Sequence, residues 1–407
     1  MPDLGVEALF FVLGSILTIG YVGELISRRF KVSSVLILLL IGYVLRISGY
    51  FDINVLLGLQ EFFGTLALIV LLFDGGLFLN LVTVLTKSSK VILQALLTTI
   101  FGIFACGLIF QYVYGIDFMI GAIFGAIAGG IGSTTSISIA RNIGIQKNII
   151  NFIILESSIT DVFSIILTIV LTGALLSGSI EFQTMAKGLA STFSTGILIS
   201  VIAGLLYILF FSKIERGYSY MMTLSIVLLL YSVVNVVGGS GAIAVLIFGM
   251  MVGNEHVIKK FLKISNHENQ NFPKQFQSEI SFLIRTFFFV YLGMVVHLGD
   301  VNNFFAAVLI IISLYIVRYV ALYISTSKSS MFEHINALAA INPRGLATAV
   351  LATYPLQVLE ARGSQALKPE IVVNVKALPE IAFYTIILSI IFTTLLVPYS
   401  LKKNDKK

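Results

Sequence analysis

Charge is what this sequence has least of. Only 11% of its 407 residues are Asp, Glu, Lys or Arg, against 57% hydrophobic, and its mean hydropathy is +1.00. Soluble domains carry roughly 25% charged residues, so a water-soluble enzyme and a disordered scaffold are both excluded. A single cysteine, Cys106, rules out an internal disulfide and a thiolate metal cage. The four histidines, His256, His267, His297 and His334, show no metal-ligand spacing, and no cofactor is expected. A GxxxxGK(S/T) loop is also missing, so ATP-driven pumping by this chain alone is not expected. The N-terminus, MPDLGVE, lacks the basic n-region of a cleaved signal peptide, and the first apolar segment is expected to be retained.

What the chain has instead is apolar runs of the length a bilayer crossing needs, about 20 residues. They fall at 6–26, 33–50, 61–82, 90–114, 117–140, 149–177, 187–211, 220–238, 241–254, 280–298, 303–326, 333–355 and 378–401, which makes thirteen segments. Basic residues in alternate connections give an independent check. One side holds Arg28, Arg29 and Lys31, then Lys87 and Lys90, Arg141 and Lys147, Lys213 and Arg216. It continues with Lys259, Lys260, Lys263 and Lys274, then Lys328, and ends with Lys402, Lys403, Lys406 and Lys407. The other side holds only Arg46, Lys187, Arg362, Lys368 and Lys376. The positive-inside rule assigns the richer side to the cytoplasm, with the N-terminus outside and the C-terminus inside a multi-pass plasma-membrane protein. The net charge of +6 is then mostly orientation charge, and a nucleic-acid partner is not expected.

Six charged residues remain within the apolar segments: Asp74, Glu156, Asp161, Arg285, Arg318 and Arg344. Each costs about 2.5–3.5 kcal/mol on insertion scales and calls for a partner or a purpose. Arg285 and Arg318 lie toward the cytoplasmic ends of their segments and read as snorkelling to headgroups.

Two segments carry helix-breaking sequence. Segment five contains GGIGSTTSIS, from Gly129 to Ser138, and segment twelve contains INPRGLAT, from Ile341 to Thr348. Glycine costs about 1 kcal/mol against alanine in a helix, and hydroxyls compete for backbone partners. Pro343 removes an amide and disfavours helical backbone at Asn342. Unpaired backbone does not survive in lipid, so such breaks are buried or line a cavity. The two segments are seven apart, an odd number, so they cross in opposite directions. That is the signature of an inverted repeat, in which segments one to six match eight to thirteen. Paired breaks at corresponding positions are the best sequence pointer to a secondary-transporter site.

Segment six reads IILESSITDVFSIIL. Glu156 and Thr160 share one helix face, and Ser157 and Asp161 share a neighbouring one. Each face pairs a carboxylate with a hydroxyl. Desolvation disfavours the charged form of a carboxylate, so a proton and a cation compete for it, and that competition is enough for antiport. The alternative is that both acids serve as structural ion pairs with the intramembrane arginines.

The sequence resembles the monovalent cation/proton antiporter superfamily, closest to its sodium/proton exchanger (NhaP-like, CPA1-type) branch. The matching stretches, in the family's order, are GELISRRFKVSSVLILLLIGYVL, LIVLLFDGGLFLNL, ESSITD, IRTFFFVYLGM, RYVALYIS and INPRGLATAVLA. The resemblance implies that Asp161 is the carboxylate that binds cation and proton, and that Glu156 and Arg344 form a structural pair joining helices six and twelve. It implies that Thr160, Ser157 and the stretch Ser133, Thr134 and Thr135 help ligate the ion. Asp74 occupies the third-helix acid position, where it contributes an oxygen at the cavity edge or serves as a cap or ion pair. Two positions depart from the family pattern. Thr160 stands where the family has Asn, and Ser133-Thr134-Thr135 replaces a Thr-Asp-Pro. The second change leaves Arg344 with more of the task of compensating the helix-end dipoles.

The expected architecture is therefore an all-α polytopic membrane protein of about thirteen helices, an inverted repeat with segments five and twelve discontinuous. Residues 1–88 and 181–300 would supply interface and connector helices, and 89–180 and 301–407 the core helices, in a homodimer surrounded by lipid. The expected activity is exchange of Na⁺ (or Li⁺) for H⁺, with K⁺/H⁺ exchange as the alternative. From another class, the rival is a cation channel or a non-transporting sensor. The connections 254–279 and 356–378 read as solvated loops.

Overall fold

A computed structural model describes residues 6–30, 34–48, 53–79, 89–132, 135–136, 139, 146–177, 182–210, 219–263, 274–295, 301–327, 329–362 and 369–404. Among them are fifteen α-helices and one short 3₁₀ turn, with no strand. In chain order the helices are α1 (Val6–Phe30), α2 (Ser34–Ser48), α3 (Ile53–Phe78), α4 (Ser89–Val113), α5 (Phe118–Ile127), α6 (Lys147–Ser177), α7 (Phe182–Phe210) and α8 (Ser219–Val236). They continue as α9 (Gly241–Gly253), α10 (Glu255–Phe261), α11 (Lys274–Val295), α12 (Val301–Thr326), α13 (Ile335–Ala340), α14 (Leu346–Arg362) and α15 (Pro369–Asn404). Each apolar segment of the sequence holds at least one of them.

Five described helices are long and apolar enough to cross a membrane: Ser89–Val113, Ile149–Leu176, Ala190–Phe210, Val301–Thr326 and Pro369–Ser400. A sixth span arises if α9 and α10, bent by 72° at their junction, count as one. The connection 356–378 is not the loop that its mixed charge suggested. Helix α14 runs on to Arg362, and α15 begins at Pro369. Proline suits the first helical position, where its missing amide proton costs nothing, and Glu370 in the first turn complements the helix dipole. The 254–279 connection likewise opens with helix α10, along which Lys259 pairs with Glu255.

The chain divides into two compact units. The smaller comprises residues 65–89 and 177–282. Within it α7, α8 and α9 pack together. Tyr207 of α7 and Thr223 of α8 share a buried hydroxyl hydrogen bond of 2.8 Å. Asn254, buried at the end of α9, donates to the carbonyls of Leu79 and Met250, each at 2.8 Å. The bond to Leu79 pairs a carbonyl just beyond the end of α3.

The larger unit comprises residues 1–64, 90–176 and 283–407. In it α12 lies along α15, α13 packs between them, and α5 meets both α14 and α15. Tyr315 of α12 and Thr393 of α15 join through their hydroxyls at 2.9 Å. Asn303 donates to Glu380 Oε2 at 2.9 Å across the same pair of helices. Helix α5 starts at an Asp117 cap, whose side chain accepts from Met119 N at 2.7 Å. Asparagine and aspartate are favoured at this position because they satisfy an orphan amide.

Candidate ion site at two unwound segments

All of the chemistry below lies within the larger unit. Helix α5 stops where its sequence turns to glycine. Ala128 N still bonds to Phe124 O at 2.8 Å, Gly129 N tightens to Ala126 O at 3.3 Å, and residues 130–132 leave the helix. Between α13 and α14 the chain is non-helical from Ile341 to Gly345, around the Pro343 that disallows an amide donor. The two unwound stretches cross in contact. Gly132 N donates to Pro343 O at 2.8 Å. A Cβ on Gly132 would lie 2.9 Å from Gly345 Cα, and one on Gly345 would lie 2.8 Å from Gly132 Cα. Only glycine at both positions lets two backbones approach this closely. Further support comes from α15, where Ser389 Oγ accepts from Arg344 N at 2.8 Å and Thr393 Oγ1 accepts from Asn342 N at 3.3 Å.

Arg344 is completely buried at this crossing. Its Nη1 donates to Gly130 O at 2.6 Å, just beyond the C-terminal end of α5. A guanidinium there complements the negative end of the helix dipole. The Nε and Nη2 groups have no hydrogen-bond partner among the described residues.

The Glu156–Arg344 pair implied by the resemblance is not what the structure forms. Glu156 is also completely buried, and it is Arg318 of α12 that closes on it, Nη1 to Oε1 at 2.6 Å and Nη2 to Oε2 at 2.9 Å. Arg318 Nε donates to Leu338 O at 3.0 Å, so the side chain is fixed at three points. The physical reason is positional. The extended backbone at Pro343 aims Arg344 at the end of α5, whereas Arg318 enters from α12 with a planar fork that matches a carboxylate. Snorkelling is accordingly wrong for Arg318, which is 0% exposed; Arg285 on α11 is half-buried.

Three more residues join this pair that the sequence did not single out. Gln94 Nε2 donates to Glu156 Oε1 at 3.3 Å and to Thr98 Oγ1 at 2.9 Å, and Ser325 Oγ donates to Gln94 Oε1 at 2.8 Å. A network over α4, α6 and α12 thus satisfies a buried charge pair, as a buried ion pair requires. The signal available was a lone amide inside the apolar run KVILQALL.

The remaining site residues are distributed as follows. Asp161 sits on α6, one turn beyond Ser157, and its Oδ1 is buried without a hydrogen-bond partner among the described residues. Thr160 is buried beside it, donating to Ser157 O at 3.1 Å and accepting from Ile131 N at 3.4 Å. Ser157 donates to Ile154 O at 3.0 Å. Thr135 is 3% exposed and its hydroxyl has no partner. Ser133 and Thr134 lie outside the described residues. Asp74 is half-buried on α3, in the smaller unit. The structure therefore brings Asp161 and Thr160 to the unwound end of α5, where Arg344 also arrives.

An all-helical chain with apolar spans, two unwound stretches in contact and an intramembrane carboxylate beside them is a polytopic membrane transporter. The profile described as sodium/hydrogen exchanger, transmembrane, matches residues 14–403, and the chain belongs to that family. It is a CPA1-type monovalent cation/proton antiporter, not an enzyme. Among its relatives, a probable Na⁺/H⁺ antiporter 2 of Methanocaldococcus jannaschii is 26% identical over 369 residues, covering 86% of this chain and 83% of that one. The K⁺/H⁺ antiporter NhaP of Alkalimonas amylolytica is 24% identical over 369 residues, covering 86% of this chain and 61% of that one. In fold, the sodium proton antiporter MjNhaP1 of M. jannaschii superposes with a TM-score of 0.79, at 21% identity over 98% of this chain and 99% of that one.

Proposed function

We propose that the protein exchanges Na⁺ or Li⁺ for H⁺, one for one, with Asp161 as the site both ions share. The observation that carries this reading is the buried, unpartnered Asp161 Oδ1 at the crossing of the two unwound segments. A buried carboxylate oxygen left unpaired costs several kcal/mol when charged, so it takes up a proton or a cation. The other acid on α6, Glu156, is held by Arg318, and Thr160 cannot titrate. One carboxylate is then left to change its load, and a moving core carries the same net charge in both directions.

The architecture read from the sequence belongs to the same proposal. Thirteen crossings form an inverted repeat with segments five and twelve discontinuous. Residues 89–180 and 301–407 move as the core of an elevator against interface and connector helices from 1–88 and 181–300 in a homodimer of the plasma membrane. The N-terminus faces outward and the C-terminus the cytoplasm. Thr135, with Ser133 and Thr134, helps ligate the ion.

A second reading, K⁺/H⁺ exchange, is favoured by the relative from A. amylolytica that bears that name. One experiment separates these readings from each other and from a channel. Collapse of a pH gradient is followed in proteoliposomes on addition of Na⁺, Li⁺, K⁺ and Rb⁺ in turn, for the wild type and Asp161→Asn. The proposal expects a response to Na⁺ and Li⁺ that Asp161→Asn abolishes. A response to K⁺ and Rb⁺ selects the second reading, cation flux without opposing proton flux indicates a channel, and activity retained in Asp161→Asn removes Asp161 from the mechanism.

A further inference from the structure

We propose that Ser164 is a ligand of the transported cation, which seats between Ser164 Oγ and Asp161 Oδ1 over the bare Cα of Gly130. This rests on the reading of Asp161 as the cation carrier and adds to it the residue that sets cation affinity. Three observations meet here. First, Ser164 is 0% exposed and its hydroxyl has no hydrogen-bond partner among the described residues, although buried hydroxyls usually have one. A cheap partner is within reach on any helix, the carbonyl three or four residues back. Ser157, Ser158 and Thr160 all take it; Ser164 does not, nor do Thr168 and Thr172 farther along α6, and of these three Ser164 is the one beside Gly130. Second, Asp161 and Ser164 are three residues apart and share a helix face, so the two unpartnered oxygens look the same way. Third, both look at Gly130. A Cβ there would lie 3.0 Å from Asp161 Oδ1 and 3.1 Å from Ser164 Oγ, so the glycine leaves open the space that both oxygens border.

The chemistry of this cradle is that of a hard monovalent cation. A carboxylate supplies the charge and a neutral hydroxyl a second oxygen. Ser157 and Thr160, the hydroxyls that the sequence placed with Asp161, donate to backbone carbonyls, which leaves oxygen lone pairs able to ligate a cation alongside Ser164. Arg344 is anchored on the carbonyl of the same glycine.

The test is proton-driven transport by the full-length protein in proteoliposomes, measured over a range of Na⁺ concentrations. Ser164→Ala is expected to raise the KM for Na⁺ about tenfold, the effect of losing one good ligand contact, with the maximal rate within about twofold of wild type. At fixed Na⁺, its half-maximal activity moves to higher pH, because a more weakly held cation needs fewer competing protons to be displaced. Ser164→Thr, which keeps the hydroxyl, restores the wild-type KM. Gly130→Ala, which fills the cradle and leaves both oxygens in place, raises the KM as Ser164→Ala does. This second variant keeps the test open should Ser164→Ala not assemble. A wild-type KM in Ser164→Ala or Gly130→Ala, with Asp161→Asn inactive, overturns the role of Ser164 while leaving Asp161 in place. Activity in Asp161→Asn overturns both.

Discussion

At the scale of single residues, two arginines of identical burial do different work. Arg318 neutralises Glu156 through a two-point bond, and Arg344 caps a helix end. This assignment is testable by melting temperatures in detergent. Glu156→Gln and Arg318→Gln are each expected to destabilise by about 3–5 kcal/mol, because each strands a buried charge, while the double substitution costs less than either. The corresponding cycle between Glu156 and Arg344 is expected to be additive. Strong coupling of Glu156 to Arg344, with none to Arg318, would contradict the geometry. The sequence alone did not reveal this pairing. Glu156 and both arginines were visible as charges in apolar segments, but choosing between partners 162 and 188 positions away depends on helix packing, which no local pattern encodes. The same holds for Ser164, whose position three residues from Asp161 was readable while its unpaired hydroxyl was not.

At the scale of elements, the unwound stretches were readable because glycine, proline and clustered hydroxyls act on the backbone directly. Gly129, Gly130 and Gly132 end α5, and Pro343 separates α13 from α14. That the two stretches touch, glycine against glycine, follows only from the tertiary fold. Because backbone faces backbone at Gly132 and Gly345, no flexible side chain is there to yield. Gly132→Ala and Gly345→Ala are each expected to lower stability by about 1–3 kcal/mol, the usual cost of overpacking, and to depress transport by moving the end of α5 relative to Asp161. Wild-type melting and flux in both variants would show that the crossing is looser than described. The helix within 356–378 escaped the sequence reading because mixed charge resembles loop composition, whereas Pro369 and Glu370 fit a helix start equally well.

At the scale of the whole molecule, the all-helical membrane fold and the family are those the six motif stretches implied, since motif order survives where overall identity is low. The electrical behaviour of the transport cycle follows from the residue scale. On the proposed reading, with Glu156 held by Arg318 and Thr160 unable to titrate, Asp161 moves with either a proton or a cation. A membrane potential of 100 mV acts on each net charge with about 2.3 kcal/mol, and with no net charge moved it does no work on the cycle. Proton-driven Na⁺ flux with and without a valinomycin-clamped potential is expected to reverse at the same ion gradients. A reversal point that shifts with voltage would instead give a second titrating group, and Asp74 would be the residue to replace first.

The central claim is that one carboxylate exchanges a proton for a cation, and proton release on cation binding measures it directly. Titration calorimetry of the purified protein with Na⁺, repeated in buffers of different ionisation enthalpy, counts the protons released per cation bound. At acidic pH, where Asp161 is protonated before the cation arrives, the account predicts one proton per Na⁺ for the wild type and no Na⁺ binding or proton release for Asp161→Asn. Na⁺ binding without proton release in the wild type, or proton release that survives in Asp161→Asn, would contradict it.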